Sequence, residues 1–255
     1  MEYLSNIVFT LMLSATSLIF YLRVKKIRRN IFFGVGYKRI DNKLERFKVM
    51  MRVAIGQSKM SKRPFSAALH IVVYLGFVII NIEVLEIVLD GILGTHRLFA
   101  DFLGSFYDFL IGFFEYLAFG VIVVCAIFLA RRFSKRIKRF DGLAMTEWPK
   151  KDALIILYSE IVLMSAFLFM NASDFQLQEL DFDGYKNAGS FPISKFLVPL
   201  LSDLSVQQIF VFERFCWWFH IAGILAFLNY LPFSKHFHIV LAFPNVYYSK
   251  LSPNG

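Results

Sequence analysis

Five long runs of mostly apolar residues constrain the fold of this 255-residue chain more than any other feature. They cover about residues 4–22, 65–89, 107–130, 153–171 and 209–231. A helix of roughly 17–25 apolar residues is long enough to cross the hydrocarbon layer of a bilayer, which is about 30 Å thick. Inside that layer a helix bonds all of its own backbone N–H and C=O groups. The sequence therefore predicts an all-α integral membrane protein, a bundle of five transmembrane helices.

The composition excludes a soluble or a disordered chain. Hydrophobic residues make up 57% of the sequence and charged residues 18%, whereas about a quarter of the residues in soluble domains are charged. The two cysteines, Cys125 and Cys216, stand in separate apolar runs, so they form neither a disulfide framework nor a four-thiolate metal site. The environment that accounts for so much apolar surface is a lipid bilayer.

Basic residues are distributed unevenly between the segments that connect the runs. Segments 23–64, 131–152 and 232–255 hold 24 of the 28 lysines and arginines. Because positively charged loops stay on the cytoplasmic side, this partition predicts an amino terminus outside and a carboxyl terminus in the cytoplasm. Anionic lipid headgroups account for the basic face, and a docking surface for an acidic redox partner is the alternative. No nucleic-acid partner is expected.

A shorter amphipathic segment follows the first run. Over residues 40–55, apolar residues recur every three to four positions, and lysines and arginines occupy the other faces. That pattern is typical of a helix that lies in the membrane interface, here on the cytoplasmic side. Asn42 and Glu45 are spaced to form its capping pair. On the outer side, residues 172–208 are predicted to form a polar loop with one short helix.

Three of the five histidines, His70, His220 and His238, fall in or beside the apolar runs. An ionisable side chain there marks a functional site, unless it only bonds a neighbouring helix. If the last helix continues past Pro232, the 18 residues from His220 to His238 make five turns and place both imidazoles on one face, about 27 Å apart. His236 then lies on the opposite face. Two imidazoles at different depths suit two metal centres in series, for which haem b with two histidine ligands is the natural group.

The stretch WWFHIAGILAFLNYLPFSKHFH in the last run resembles the final helix of the gamma subunit of respiratory nitrate reductase. It is still more similar to the membrane domain of heterodisulfide-reductase-type iron–sulfur oxidoreductases. The stretch KRPFSAALHIVVYLGF resembles the R-P-x-x-x-x-x-H motif before the second helix of that group. The resemblance extends over nearly the whole chain. It implies a dihaem cytochrome b domain of the bacterial inner (cytoplasmic) membrane, which exchanges electrons with quinone and with cytoplasmic iron–sulfur clusters.

Matched position by position, the resemblance implies His70 and His238 as the ligands of a cytoplasmic haem and His220 as a ligand of an outer haem. The partner of that last ligand in the family is a histidine ten residues after the first one, where this chain has Ile80. His96 is the remaining histidine on the predicted outer side and the candidate for that partner. One or two haem b groups are expected accordingly.

Further expectations concern the surroundings of the cytoplasmic haem. His236 is an alternative ligand to His238, or a hydrogen-bond donor to a propionate. Arg63 is expected to pair with a propionate. Relatives often continue into a domain with C-x-x-C-x-x-C clusters, and this sequence has no such motif. Residues 1–255 are therefore expected to form a single transmembrane cytochrome b-like domain, whose iron–sulfur partner is a separate chain or a carboxyl-terminal domain of a longer protein.

Acidic residues near the predicted outer side fit a reaction with quinone. Oxidation of a quinol releases two protons, so its site needs a base. Glu83 and Glu86 recur at the outer end of the second run and are predicted to be the proton acceptors, the alternative being hydrogen bonds between helices. The leading prediction is a haem b-containing electron-transfer subunit between the quinone pool and a cytoplasmic iron–sulfur module. The competing prediction is a haem-free membrane anchor for a cytoplasmic enzyme.

Overall fold

A computed structural model of the chain describes residues 3–34, 41–62, 64–134 and 147–251. Within those ranges it contains helices and no strand. The α-helices are α1 (Leu4–Ile31), α2 (Lys43–Met50), α3 (Pro64–Leu93), α4 (Ala100–Leu103), α5 (Ser105–Phe133), α6 (Glu147–Glu179), α7 (Val206–Tyr230) and α8 (His238–Tyr247). Shorter elements are a π turn at Met51–Ile55 and the 3₁₀ helices Ser58–Lys62, Ser194–Leu201, Leu231–Phe233 and Lys235–Phe237.

Among the described residues, the five helices α1, α3, α5, α6 and α7 are long and apolar enough to cross a membrane. The prediction of an all-α, five-helix membrane protein is therefore confirmed, and the chain is a multi-pass membrane protein. Each helix is longer than the apolar run that predicted it, because a helix continues into polar sequence after it leaves the hydrocarbon. Helix α1, for instance, continues to Ile31 and carries Arg28 and Arg29 in its last turn. The direction of crossing stays a prediction.

A glycine allows close packing at the contact of α1 with α3. Helix α6 packs against α5 and α7, α3 packs against α5, and α1 lies against α3 and α7. The one buried side chain of α1 is Phe9, whose ring centroid lies 5.5 Å from that of Trp217. A Cβ atom at Gly91 of α3 would come within 2.6 Å of the Phe9 ring. Glycine therefore allows the close approach, as small residues do between transmembrane helices.

The two ends of the bundle differ in charge. Helices α1 and α5 finish at the same end, and both carry arginines in their last turn. We call this end, where α3 and α6 begin, the basic end. The opposite end holds the connections from α3 to α5 and from α6 to α7, and we call it the acidic end. The basic end is the predicted cytoplasmic side.

The amphipathic segment predicted over residues 40–55 is helical from Lys43 to Ile55, since α2 runs directly into the π turn; residue 40 lies outside the described residues. Its apolar side chains stay exposed, as on a helix face turned to lipid: Leu44, Phe47, Met51 and Ile55. The predicted capping pair of Asn42 and Glu45 is wrong. Asn42 adopts a left-handed φ of 47° and its side chain makes no capping bond.

The last transmembrane helix does not continue to His238. Helix α7 ends at Tyr230, Pro232 lies in a 3₁₀ turn, and Ser234 is extended with φ −99° and ψ 152°. His238 instead begins α8. The condition on which His220 and His238 would share one helical face, a helix that continues past Pro232, is therefore not met. Proline lacks a backbone N–H, which favours a break at this point.

The connection between α6 and α7 begins later than the predicted loop over residues 172–208. Helix α6 continues to Glu179, and the short helix in the connection is the 3₁₀ segment Ser194–Leu201. The buried carboxylate of Glu115 in α5 accepts hydrogen bonds from the backbone N–H groups of Ile193 at 2.8 Å and Ser194 at 3.1 Å. The connection is therefore fixed to the bundle at the start of its short helix.

Candidate functional site

Three histidines come together at the basic end: His70 in the second turn of α3, His236 in the 3₁₀ turn after α7, and His238 at the start of α8. The ring centroids of His236 and His238 are 5.8 Å apart. Burial, and the nearby imidazoles of His238 and His70, lower the pKa of His236 to about 4. His236 is therefore neutral at pH 7, the form in which an imidazole binds a metal.

Two of these histidines have a ring nitrogen free for a ligand. The Nδ1 atom of His238 lies 2.9 Å from the carbonyl oxygen of Lys235. When Nδ1 donates to a backbone carbonyl, Nε2 becomes the acceptor that can bind a metal. The Nδ1 atom of His70 is buried and has no hydrogen-bond partner. Buried polar atoms without partners are rare in proteins and indicate a missing ligand or water.

Asp152 of α6 holds the segment that carries His236 and His238. Its carboxylate accepts a hydrogen bond from the Tyr230 hydroxyl at 2.6 Å and from the backbone N–H of Lys235 at 3.1 Å. Both carboxylate oxygens are thus used to fix the turn after α7. Sequence reasoning missed this residue, because the contact joins positions about 80 residues apart in the sequence. The predicted propionate partner Arg63 lies outside the described residues.

An apolar cavity of about 80 Å³ lies beside this histidine cluster, between α3, α5, α6 and α7. Its lining residues are Gly76, Phe77, Ile80, Asn81, Val84, Val121, Glu160, Leu163, Met164, Ile224 and Phe227. Phe77 and Phe227 also pack on the ring of His236, with centroid distances of 6.3 and 5.6 Å. Ile80, where the resemblance expects a histidine, is buried in the wall. The cavity as it stands is large enough for a few water molecules, and a flat macrocycle would require its flexible side chains to move apart.

His220 lies at the far side of this cavity, one turn before Ile224 on α7. Its Nδ1 atom is 2.8 Å from the carbonyl oxygen of Leu163, and its Nε2 atom is buried without a hydrogen-bond partner. A fixed Nδ1 and a free Nε2 are the arrangement of a metal-binding histidine. Among the described residues, however, no three His, Cys, Asp or Glu side chains are grouped to hold a metal ion by themselves.

His96 does not lie near His220. The Nε2 atom of His96 is 3.4 Å from a carboxylate oxygen of Asp174, whereas His220 contacts Leu163. Asp174 and Leu163 are eleven residues apart on α6, which is about 16 Å along the axis. Two imidazoles on one iron each lie only about 2 Å from it. Helix α3 ends at Leu93 and the chain turns at Gly94, where φ is 75°. This turn brings His96 to Asp174, so the structure does not bring His96 and His220 together as ligands of one iron.

Arg97 is the centre of a buried network at the acidic end. Its guanidinium donates to the Asp174 carboxylate at 2.6 Å, to the Tyr107 hydroxyl at 3.0 Å and to the Asn171 carbonyl at 3.1 Å. The Asn171 amide in turn donates to Glu115 at 3.1 Å. Burial opposes the charge of Arg97, but the Asp174 carboxylate outweighs burial and raises the pKa of the guanidinium above its ordinary value. Arg97 is therefore permanently charged and ties α3, α5 and α6 together.

The two predicted proton acceptors differ in how they are bonded. The Glu86 carboxylate accepts from the Phe99 backbone N–H at 2.7 Å and from the Tyr107 hydroxyl at 2.9 Å. Glu83, one turn earlier on α3, is equally buried, but its Oε2 atom has no partner. Glu86 is therefore held as part of the structure, whereas Glu83 has an oxygen available for a ligand or a proton.

A small cavity of about 30 Å³ opens next to Glu83. Its lining residues are Glu83, Glu86, Ile87, Asp90, His96, Arg97, Met170, Asp174, Glu213, Arg214 and Trp217. At its edge, the hydroxyl of Tyr185 donates to Glu213 at 2.7 Å. Burial and the Glu213 carboxylate raise the pKa of Tyr185, which therefore keeps its proton. Most of these acidic and basic groups were visible in the sequence, but their grouping around Arg97 was not.

Comparisons with known proteins place the chain among relatives of two oxidoreductases. No protein-family model matches the chain, and no solved structure matches it. The chain is 22% identical over 248 residues to the probable iron-sulfur-binding oxidoreductase FadF of Bacillus subtilis, an alignment that covers 96% of this chain and 33% of that protein. It is 23% identical over 208 residues to an EtfAB:quinone oxidoreductase of Syntrophomonas wolfei, covering 79% of this chain and 28% of that protein.

These relatives define the class to which the molecule is related. It is a multi-pass membrane protein that is similar to a probable iron-sulfur-binding oxidoreductase and to a quinone oxidoreductase. The chain spans about a third of the length of the curated relatives it matches.

Proposed function

We propose that this chain is a membrane subunit that transfers electrons between a quinone and an iron–sulfur partner, with one haem b held at the basic end by His70 and His238. The observation that carries the proposal is the convergence of histidines from α3 and α8 at this end. The unpaired Nδ1 atom of His70 and the Nε2 atom of His238 would be the atoms that hold a haem iron. The similarity to iron–sulfur and quinone-linked oxidoreductases supports the same role.

The residues around these two histidines suit the proposed group. A haem held by these two imidazoles would supply one-electron transfer chemistry. Asp152 fixes the turn that carries His238 through Tyr230 and Lys235. Phe77 and Phe227 provide apolar surface beside the cluster, packed on the ring of His236. His236, between these rings, is the candidate donor of a hydrogen bond to the group.

At the acidic end, Glu83 is the proposed proton acceptor for the quinone. Its buried, unpaired oxygen supports this choice over Glu86, whose oxygens are both engaged. Glu83 lies 13 residues after His70 on α3, about 20 Å along the axis, and the apolar cavity lies between the two. The proposed iron–sulfur partner, a further domain or a separate chain, meets the basic end, where the haem ligands lie.

The absorbance of the purified protein, reduced minus oxidised, tests the haem and its ligands. We expect one low-spin b-type haem per chain, lost in His70→Ala and in His238→Ala. His236→Ala and His220→Ala are matched controls that should keep it. Loss in the His236 variant with retention in the His238 variant would assign the ligand to His236. A protein that inserts into membranes but binds no haem would contradict the proposal and favour the haem-free anchor.

A further inference from the structure

Two buried polar atoms without hydrogen-bond partners border the same small cavity at the acidic end. They are Oε2 of Glu83 and Nδ1 of His96. The cavity measures about 30 Å³, and one water molecule requires about 10–15 Å³ on this measure. The space is polar and large enough for about two waters. Water there would connect the two unpaired atoms, which no other protein group satisfies.

The two residues lie at different depths. Glu83 is 4% exposed, whereas the side chain of His96 is 20% exposed. His96 follows the end of α3, in the connection that closes the acidic end. Its ring packs on that of Tyr185, with a centroid distance of 4.5 Å, and its Nε2 atom is 3.4 Å from Asp174. His96 therefore stands between the buried carboxyl of Glu83 and the aqueous phase, with one nitrogen toward a carboxylate and the other unpaired.

The other groups around the cavity are poorly suited to exchange protons. The charged or titratable groups that face His96 and the cavity are Glu83, Glu86 and Asp90 of α3, Arg97, Asp174 of α6, Tyr185, and Glu213 and Arg214 of α7. Asp90 accepts bonds from the Thr95 hydroxyl and from the backbone N–H groups of Arg97 and Leu98. Arginine does not give up its proton in proteins. Tyr185 donates to Glu213.

We propose that His96 is a proton-transfer residue, which carries protons between Glu83 and the aqueous phase at the acidic end. The inference rests on the proposed function for the use of those protons. When a quinol is oxidised, each O–H bond breaks, its electron passes to an iron-containing acceptor of the haem or iron–sulfur class, and its proton passes to Glu83. Glu83 accepts a second proton only after it has released the first. His96 takes that proton through the cavity and releases it to water; quinone reduction runs the same path in reverse.

Asp174 positions the ring of His96 for this role. Its carboxylate also binds Arg97 and accepts a bond from the Gln178 amide at 2.9 Å. The carboxylate is therefore fixed from two other sides. An imidazole held at one nitrogen by a fixed carboxylate keeps its other nitrogen directed at a constant point, as in enzymes that use histidine for proton transfer.

The first test follows the carboxyl proton of Glu83 itself and needs neither haem nor quinone turnover. Infrared spectroscopy of the full chain in lipid vesicles records the carbonyl band of protonated carboxyls, and the band lost in Glu83→Gln belongs to Glu83. After transfer into D₂O, that band should shift at least tenfold more slowly in His96→Gln than in wild type. Imidazole added to the medium should restore the fast exchange in His96→Ala. Lys186→Met, at the exposed surface of the same end, is the control.

Glutamine at position 96 keeps a polar side chain beside Asp174 but cannot exchange protons as imidazole does. Slow exchange of the Glu83 proton in this variant is therefore expected even though the protein stays folded. Equal exchange rates in wild type and both His96 variants would overturn the inference. So would slow exchange that imidazole fails to restore, because that result indicates a structural role, and so would the absence of any band lost in Glu83→Gln.

A second measurement separates this inference from the proposed function. Menadiol, a reduced quinone, is mixed with the oxidised protein, and haem reduction is followed by absorbance. We expect reduction to slow at least tenfold in Glu83→Gln and in His96→Ala, with rescue of the His96 variant alone by imidazole. A slow Glu83 variant with a His96 variant at the wild-type rate would overturn the role of His96 and leave the proposed function intact. Wild-type protein that menadiol does not reduce would overturn the proposed function.

Discussion

Among the residues that the structure describes, two arginines are almost wholly buried, one at each end of the bundle, and they bond to different kinds of partner. Arg97 at the acidic end is 6% exposed and bonds to side chains of α5 and α6. Arg46 at the basic end is 3% exposed and bonds mainly to backbone carbonyls, those of Tyr247 at 3.1 Å and Ser249 at 2.7 Å. The first arginine therefore joins transmembrane helices to each other, and the second joins the short helix α2 to the end of α8.

The difference indicates how each end is used. A network of charged side chains requires every partner to be in place, so the packing at the acidic end depends on the identity of each residue in the network. Hydrogen bonds from Arg46 to backbone carbonyls depend less on which side chains the bonded residues carry. At both ends, the residues proposed to bind haem or carry protons are not among the hydrogen-bond partners that the arginine holds in place. Glu83 and His96 have unpaired atoms beside the Arg97 network, and His70 has one at the basic end.

Labelling of introduced cysteines would show which side of the membrane each end faces, with an all-or-none result. Ser190 lies at the acidic end and Ser134 at the end of α5. The native Cys125 and Cys216 are both buried and give little background. We expect an impermeant maleimide added from outside to label Ser190→Cys, and to label Ser134→Cys only after the membrane is opened. Labelling of both from one side would contradict the five-span topology, and the reversed pattern would contradict the charge-based orientation.

The largest loss of stability is expected from Arg97→Met. The substitution leaves the buried carboxylate of Asp174 and the polar groups of Tyr107 and Asn171 without their donor. Removing one partner of a buried ion pair typically costs about 3–5 kcal/mol, because the remaining charge is buried alone. Unfolding in mixed detergent micelles, followed by circular dichroism, measures the change.

Lys186→Met is the matched control for that experiment. Lys186 pairs with Asp101 at 2.7 Å at the same end, but both side chains are more than half exposed. Exposed ion pairs contribute about 0–1 kcal/mol. Equal losses in the two variants would mean that the acidic end is not a closed network and that water reaches Arg97 as freely as it reaches Lys186.

The architecture could be predicted from the sequence because it depends on local composition. Each transmembrane helix is predicted by its own apolar run, and the histidines and glutamates within those runs can be identified because ionisable residues are rare there. Whether the last helix continues past Pro232 could not be decided from the sequence. Five turns of register linked His220 to His238 only if the helix passed Pro232, and the proline together with the extended Ser234 ends it.

The grouping of the site residues could not be predicted, because it depends on contacts between distant positions. Arg97 is one of the four lysines and arginines outside the three basic segments, and nothing in the sequence indicates that it bonds Asp174, 77 residues away. His96 was expected to turn inward toward His220, and it instead contacts Asp174 at the acidic end. Glu83 and Glu86 were equivalent in the sequence, and only their hydrogen bonds distinguish them.

A smaller and local effect is expected from Arg46→Met at the basic end. The guanidinium bonds two carbonyls at the end of α8 and also Asp41 at 2.9 Å, so its loss separates α2 from α8 while the transmembrane helices keep their contacts. Hydrogen bonds to a charged group contribute about 1.5–3 kcal/mol, and the released carbonyls lie near the interface, where water can replace the donor. We therefore expect a loss of roughly 2 kcal/mol in the free energy that holds α2 to α8.

Hydrogen exchange followed by mass spectrometry tests this effect of Arg46→Met, and should show lost protection in α2 and α8 and unchanged protection in α6 and α7. Lys43→Met removes the same charge from an exposed position of α2 and should leave exchange unchanged. Lost protection throughout the bundle would mean that Arg46, like Arg97, holds the transmembrane helices together, and the contrast between the two ends would fail.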